Sequence, residues 1–418
     1  MSESIPAIIL SANTVALGVV KALGKQGVPL VVVHYDPNND IAHRSRYATK
    51  TLPIPHPEKD EEEFIARLLK LAREWEGAVI MPTSDETLLV TARHKENLSR
   101  HFRVACPDYT IVRQVIDKQQ TYPLAAAAGV KIPRTLVPGS LADVQDYCNE
   151  GLFPCLFKPA QSHLFHARFG TKMFFVENPA QLLSGYHSAV QAGLDGMIQE
   201  YIHGNDSNVA NYNSYSIAGK PLVEFTADHI RNAPPCFGSP RVVLSRQIDE
   251  LIEPGRRLLQ ALNYSGYACM EFKRDASDGE YKLMEVNGRH NLSTLLAVRC
   301  GISFPWLEYR HQAYGDRPQA QTFQSGVYWI DMTRDIGYSL KYHRDERYTL
   351  HDYAKPYLQP HIWAECDWRD PLPFLTRIGN LAGKLLKVRS PSPPPDPLRK
   401  AALATCEDSL ASTNKEAL

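Results

Sequence analysis

The sequence predicts an α/β opening, then a mixed α+β body, then a small C-terminal extension. Three observations predict it. Over roughly the first 110 residues, strand-length apolar runs alternate with amphipathic helical stretches. From residue 114 onward the texture changes to short strands that carry isolated lysines and glutamates. Near the end, SPSPPPDP at 390–397 is a proline-rich break. The 418 residues, 44% of them hydrophobic, can fill two or three domain-sized cores, and a formal charge of zero leaves no polybasic footprint for nucleic acid or a membrane surface. Small molecules are the partners this balance favours.

The first elements are the most regular. AIIL at 7–10 and PLVVV at 29–33 read as buried parallel strands, with a crossover helix between them that ends at Gly27. EEFIARLLKLAREWEG at 62–77 places Phe64, Ile65, Leu68, Leu69, Ala72 and Trp75 at helical spacing, and AVIMP at 78–82 is a further strand. The opening is Rossmann-like. Its first turn, SANTVALG, lacks the GxGxxG glycines that let a backbone close on a pyrophosphate, so no nicotinamide site is read there and a dehydrogenase is disfavoured. MSESIPAIILSANTV sets no basic region before its short apolar run, and no stretch reaches the roughly 18 apolar residues of a membrane span. A cytoplasmic location is expected. The eight scattered cysteines form no CxxC and no zinc spacing, which predicts buried thiols.

In the second segment, VIDKQQTYPLAAAAGVKIPRT at 115–135 reads as a helix ending at Gly129, a plain connector on local evidence. FPCLFKP at 153–159 is a strand whose single charge is Lys158. A buried lysine needs a partner, so an anion is expected beside it. SHLFHARFGTKMFFV at 162–176 reads as a hairpin with Lys172 on its returning strand, where a solvated surface lysine is an equal alternative. GMIQEYIHGND at 196–206 is a strand with Gln199, Glu200, Tyr201 and Ile202, closed by the turn residues Gly204, Asn205 and Asp206.

The strongest signal lies in GYACMEFKRDASDGEYKLMEVNGR at 266–289, two strands around a DASDG loop with one glutamate on each. Side chains of a strand alternate faces, so Glu285, Asn287 and Arg289 project together while Val286 and Gly288 face the other way. If the strands pair, Glu271 joins them. Two carboxylates about 4 Å apart repel by roughly 4 kcal/mol at an effective dielectric near 20, so the cluster calls for a cation or a shared proton. Carboxylate and carboxamide oxygens suit magnesium, and Arg289 suits a bidentate grip on phosphate or carboxylate.

The ordered set of a Rossmann-like opening, DK with AAGVKIP, FKP, a second lysine, IQEYIHG, MEFKRD and LMEVNGR resembles the ATP-grasp superfamily over residues 1 to about 315. HIRNAPPCFGSPRVVLSR at 229–246 is similar to the carboligase-like group related to the D-aspartate ligases. The resemblance implies a pre-ATP-grasp domain at 1–113, a two-subdomain ATP-grasp domain at 114–318 with a lid at about 125–200, an extension at 319–389, and a disordered tail at 390–418. It implies that Lys118, Lys158 and Lys172 meet ATP phosphates or the base edge, and that Gln199, Glu200 and Ile202, with Asp206 at the turn, form the adenine hinge. Glu271, Glu285 and Asn287 would hold Mg2+, with Mn2+ as a substitute, and Arg289 and Arg231 would serve catalysis at the phosphoryl group or the substrate carboxylate. The loop after Lys158 has a single glycine, and His163, His166 and Arg168 are its alternative source of charge.

The implied reaction joins a small carboxylate and an amine through an acyl phosphate, releasing ADP, with no protein nucleophile and with the 163–171 segment as a water-excluding lid. A biotin-carboxylase-like carboxylation ranks second, a non-catalytic ATP-binding module third, and a homodimer is compatible with either enzyme. GVYWIDMTRDIGYSLKY at 326–342 and PHIWAECDWRDPLPFLTRIGNLAGKLLK at 360–387 suggest a small aromatic-rich region packed on the core and ending in an amphipathic helix.

Overall fold

The computed structural model describes residues 4–159, 165, 168–171, 173–236, 238–346 and 348–387, apart from the side chains of 343–345 and 384–387. Among these the chain forms two compact units. Unit 1 takes the described part of Met1–Val130, Val209–Phe272 and the described part of Glu285–Val388, and unit 2 takes Lys131–Asn208 and Lys273–Met284. The second unit overlaps the 125–200 range of the sequence expectation, runs on to Asn208 and recruits Lys273–Met284 from a distant part of the sequence. The expected tail at 390–418 lies outside the described residues.

Unit 1 begins with a parallel sheet of β1 (Ala7–Leu10), β2 (Leu30–His34), β3 (Ala48–Pro53), β4 (Val79–Pro82) and β5 (Arg103–Val104) in the order β3-β2-β1-β4-β5. Every residue of β1 and β4 is buried, as a strand covered on both faces requires. Helix α1 (Thr14–Gly24) starts at Asn13, whose side chain accepts from the Ala16 amide. Helix α2 (Glu61–Trp75) starts at Asp60 and buries Phe64, Ile65, Leu68 and Leu71, while Leu69, Ala72 and Trp75 are partly buried against the same core. The edge strand β3 escaped the sequence reading because its residues alternate between half-buried and exposed and half of them are polar. Helix α3 (Asp85–Arg93) follows β4 directly, with Ser84 as its cap.

Unit 2 holds β6 (Thr135–Leu136), β7 (Cys155–Pro159), β8 (Phe174–Val176) and β9 (Gly196–Glu200) in the antiparallel order β6-β9-β7-β8. The expected pairing of 153–159 with the strand ending at 176 is present. Between them the described residues Phe165, Arg168 and Phe169 are helical, which replaces the expected hairpin turn, and Phe165 is fully buried beside Phe157, Phe169 and Phe174. That aromatic cluster gives the segment a core to fold on.

The large sheet runs through β10 (Val209–Ile217), β11 (Lys220–Ala233), β12 (Ser239–Ser245), β13 (Gly266–Arg274), β14 (Tyr281–Asn287), β15 (Tyr328–Ile330) and β16 (His361–Trp363) in the order β14-β13-β10-β11-β12-β15-β16. Two of these strands come from the expected extension at 319–389. β15 pairs antiparallel with β12 and buries Trp329, so this region completes the sheet and does not stand apart. Cys106, Cys155, Cys269 and Cys300 are buried free thiols as expected, whereas Cys148 and Cys366 are half-buried and Cys236 is disulfide-bonded, which the scattered spacing did not predict. Among the described residues no helix is long and apolar enough to cross a membrane.

Candidate active site

The alternation read at the end of β14 is present in unit 1. Val286, Gly288 and His290 are buried, whereas Glu285, Asn287 and Arg289 are half-buried on the other side. Gly288 packs closely, since a Cβ there would stand 3.0 Å from Tyr264 Oη and 3.2 Å from Leu88 Cδ2, and both side chains would have to give by a few tenths of an ångström.

The first of those neighbours is Lys118, the opening residue of a helix spanning Lys118–Ala127. Its Nζ lies 2.9 Å from Glu285 Oε2. Burial alone would lower the ammonium pKa, but the charges of Glu285, Tyr122 and Glu271 and the bond to Glu285 raise it to about 12. Burial likewise pushes the Glu285 carboxyl upward, and Lys118, Arg289 and a hydrogen bond from Asn287 more than offset it, holding Glu285 below the usual glutamate value. β13 neighbours β14, and Glu271 acts electrostatically on the same lysine. Glu271 Oε2 is 4.0 Å from Nε2 of His229, a residue 1% exposed whose pKa burial lowers to about 4, so a neutral ring faces the carboxylate. This histidine escaped sequence reading, because a lone histidine among the polar residues of β11 carries no signal of its own.

Arg289 belongs to the cluster but is already engaged. Its Nε and Nη2 donate to Asp85 Oδ1 and Oδ2 at 2.8 and 2.9 Å. Asp85 is the first residue of α3, and sequence reading missed it because it stands 204 residues from its partner. Arg231 corrects the expectation of a catalytic role. It is fully buried and donates from Nε and Nη2 to the two carboxylate oxygens of Asp335 at 2.9 and 2.8 Å, with the Tyr353 ring 4.7 Å from its guanidinium carbon. A guanidinium committed to a core carboxylate and covered by an aromatic ring is a packing element, and Arg231 drops out of the site.

Whether this face fits a divalent cation can be asked of its donors. Glu271 and Glu285 with the Asn287 carboxamide offer hard oxygens, and Glu285 stays ionised despite its burial. Among the described residues no group of three or more His, Cys, Asp and Glu side chains gathers as a metal site, and a set of two carboxylates and one carboxamide lies outside that pattern. The donor chemistry fits magnesium, which keeps part of its shell for phosphate or water.

Unit 2 carries the remaining candidates. Lys158 on β7 is half-buried, and its Nζ donates to Gln199 Oε1 on β9 at 2.5 Å. Gln199 is fully buried and donates onward to Thr135 Oγ1 at 3.0 Å. Glu200 accepts from Lys282 Nζ at Oε1 and from the Arg134 amide at Oε2, both at 2.9 Å. Lys282 also reaches Asp275 Oδ2 at 2.9 Å. Burial would lower its pKa, and Asp275 and Glu200 raise it instead to about 12. Ile202 is buried, as is Asp206, which opens a 3-10 turn over Asp206–Asn208. Lys172, His163 and His166 lie outside the described residues.

No family model matches the chain. A D-aspartate ligase from Enterococcus faecium is 26% identical over 274 residues, 60% of this chain and 63% of that protein. A D-alanine–D-alanine ligase from Ectopseudomonas mendocina is 26% identical over 207 residues, 46% of this chain and 63% of that protein. The match thus spans a little under two thirds of either relative. Among solved structures, the biotin carboxylase of Campylobacter jejuni is superposable with a TM-score of 0.61 at 18% identity, covering 77% of this chain and 74% of that one. The chain has the ATP-grasp fold. The ATP-grasp resemblance seen in the motif order therefore extends to the architecture.

Proposed function

We propose that the chain is an ATP-dependent carboxylate–amine ligase. The observation that carries this reading is the Glu285–Asn287–Arg289 face with Lys118 at 2.9 Å, a row of hard oxygens and cations that a structural strand would not need. The ligase names of both sequence relatives support it. Glu271, Glu285 and Asn287 would hold Mg2+, which when bound neutralises phosphate charge. Lys118 and Lys158, with Lys172, would contact phosphate, while Gln199, Glu200, Ile202 and Asp206 would frame the base. Arg289 orients the substrate carboxylate.

In the reaction a carboxylate oxygen of the substrate attacks the γ-phosphorus of ATP, and the bond to the β-phosphate oxygen breaks to release ADP. The nitrogen of an amine then attacks the acyl carbon, phosphate departs with the electrons of the C–O bond, and the nitrogen loses a proton to water. Substrates are small molecules, and we place the protein in the cytoplasm. A biotin-carboxylase-like carboxylation with bicarbonate as the carboxyl source is the second reading, favoured by the fold match to biotin carboxylase.

ADP release across a panel of amino acids and amines, against bicarbonate with biotin, separates the two. Glu285→Gln is expected to abolish Mg2+-dependent ADP formation while the thermal midpoint stays near that of the wild type. Normal turnover with unchanged Mg2+ dependence would remove the metal assignment.

A further inference from the structure

Unit 1 also contains a cavity of about 520 Å³ that none of the proposed site residues lines. One wall is the end of β5 and the loop after it, up to Asp108, and the opposite wall is formed by Asn263, Gly266 and the helix Phe304–Tyr314. Gly266 begins β13, and Glu271 lies five residues further along the same strand. At about 3.3 Å per residue the cavity is about 16 Å from the carboxylate face.

The decisive group is Glu308. It lines the cavity and is 6% exposed, and its Oε2 is 2.9 Å from His290 Nε2. Its other oxygen is turned toward the cavity wall, since a Cβ at Gly266 would stand 3.8 Å from Oε1. An ionised carboxylate has about four acceptor positions, and a buried one is costly unless they are met. Around it are neutral hydrogen-bonding groups. Tyr215 is fully buried with its hydroxyl 2.9 Å from His311 Nδ1, and both residues line the cavity beside Gln312. At the rim Lys95 pairs with Asp108 at 2.7 Å and the exposed Arg103 donates to the Gly77 carbonyl, so the cations there are engaged, and Glu308 is the buried carboxylate of the lining.

We propose that this cavity is a second small-molecule site that takes a primary ammonium compound, the ammonium donating to Glu308 Oε1 and the neighbouring neutral acceptors. A buried carboxylate beside a tyrosine hydroxyl and a glutamine side chain offers acceptors suited to the three hydrogens of an ammonium group, and its charge strengthens the bond it accepts. The inference stands independently of the ligase reading, since it uses none of its residues.

The test is titration of the full chain, free of nucleotide, with putrescine, ethanolamine and glycine by calorimetry. Saturable binding of at least one probe is expected, unchanged in Glu285→Gln and weakened by about tenfold or more in Glu308→Gln, as loss of a charge-assisted bond implies. Because Glu308 also holds His290, its variant can lose the fold. Gln312→Trp fills the cavity while keeping that pair, and is expected to abolish binding as well. No saturable binding to the wild type, or binding unchanged in Gln312→Trp, would overturn the proposal.

Discussion

Lys118 Nζ and Glu285 Oε2 stand 2.9 Å apart, and each shifts the other toward its charged form against the pull of burial. The pair couples the start of a helix to the C-terminal part of a strand 167 residues later. It keeps Glu285 ionised whether or not a cation is bound.

That coupling sets a pH dependence. Glu285 titrates lower in the folded chain than its ordinary value of 4.5, so its contribution is complete above that value and is lost as pH falls through the lower folded one. Lys118 is raised from 10.5 to about 12, so its contribution is complete below 10.5 and is lost as pH rises through about 12. The side chains are 31% and 43% exposed, which limits the pair to about 1 kcal/mol or less. The thermal midpoint of Lys118→Met is therefore expected slightly below wild type between about pH 6 and 10, with the gap closing below about pH 4. A gap that persists in acid would show that the loss is one of packing.

Lys158→Ala tests the unit 2 assignment. Removing it frees the buried Gln199 oxygen of a donor at 2.5 Å, a structural cost of about 1–3 kcal/mol. If Lys158 also meets phosphate, the KM for ATP rises by about tenfold or more, beyond what the fold loss explains. Wild-type ATP affinity in a folded variant would reduce Lys158 to a partner of Gln199.

How much of this was legible in the sequence depended on distance along the chain. The row Glu285, Asn287 and Arg289 was legible because period-two alternation is a local property of strands. The helix at 62–77 was legible because its apolar residues recur at helical spacing. Asp85 and Asp335 were not, since each meets its arginine across 204 and 104 residues, and nothing near Arg231 distinguishes a core arginine from a phosphate ligand. The sheet role of 328–330 was hidden for a similar reason, because a strand of three residues has no period to read.

The core assignment of Arg231 carries a stability prediction. Asp335 is fully buried and serves Arg231 at 2.8 Å, Arg241 at 3.4 Å and the Tyr357 hydroxyl at 2.5 Å. Asp335→Ala leaves the buried Arg231 guanidinium without its carboxylate, while Arg241 keeps its pair with Glu346, and a loss of about 3–5 kcal/mol is expected in denaturant unfolding. An Arg231→Met variant that remained fully stable yet failed to turn over ATP would restore Arg231 to the site.

The last prediction concerns Arg289 and Asp85. Lysine at 289 keeps the charge but loses the two parallel bonds now made at 2.8 and 2.9 Å, so Arg289→Lys is expected to raise the KM for the carboxylate substrate by about tenfold or more while leaving the KM for ATP within about twofold. Asp85→Asn keeps the shape of the acceptor but removes the charge that orients the fork. If Asp85 acts only through Arg289, its variant raises the same KM, and the double variant is no worse than Arg289→Lys alone, because residues that share one interaction are not additive. Effects that multiply would mean that Asp85 contacts the substrate itself, with the 289 fork and the 85 carboxylate each holding a different part of it. Measuring ADP release for the wild type, both single variants and the double variant against one accepted carboxylate gives the full cycle, and an unchanged carboxylate KM in Arg289→Lys would remove Arg289 from substrate binding.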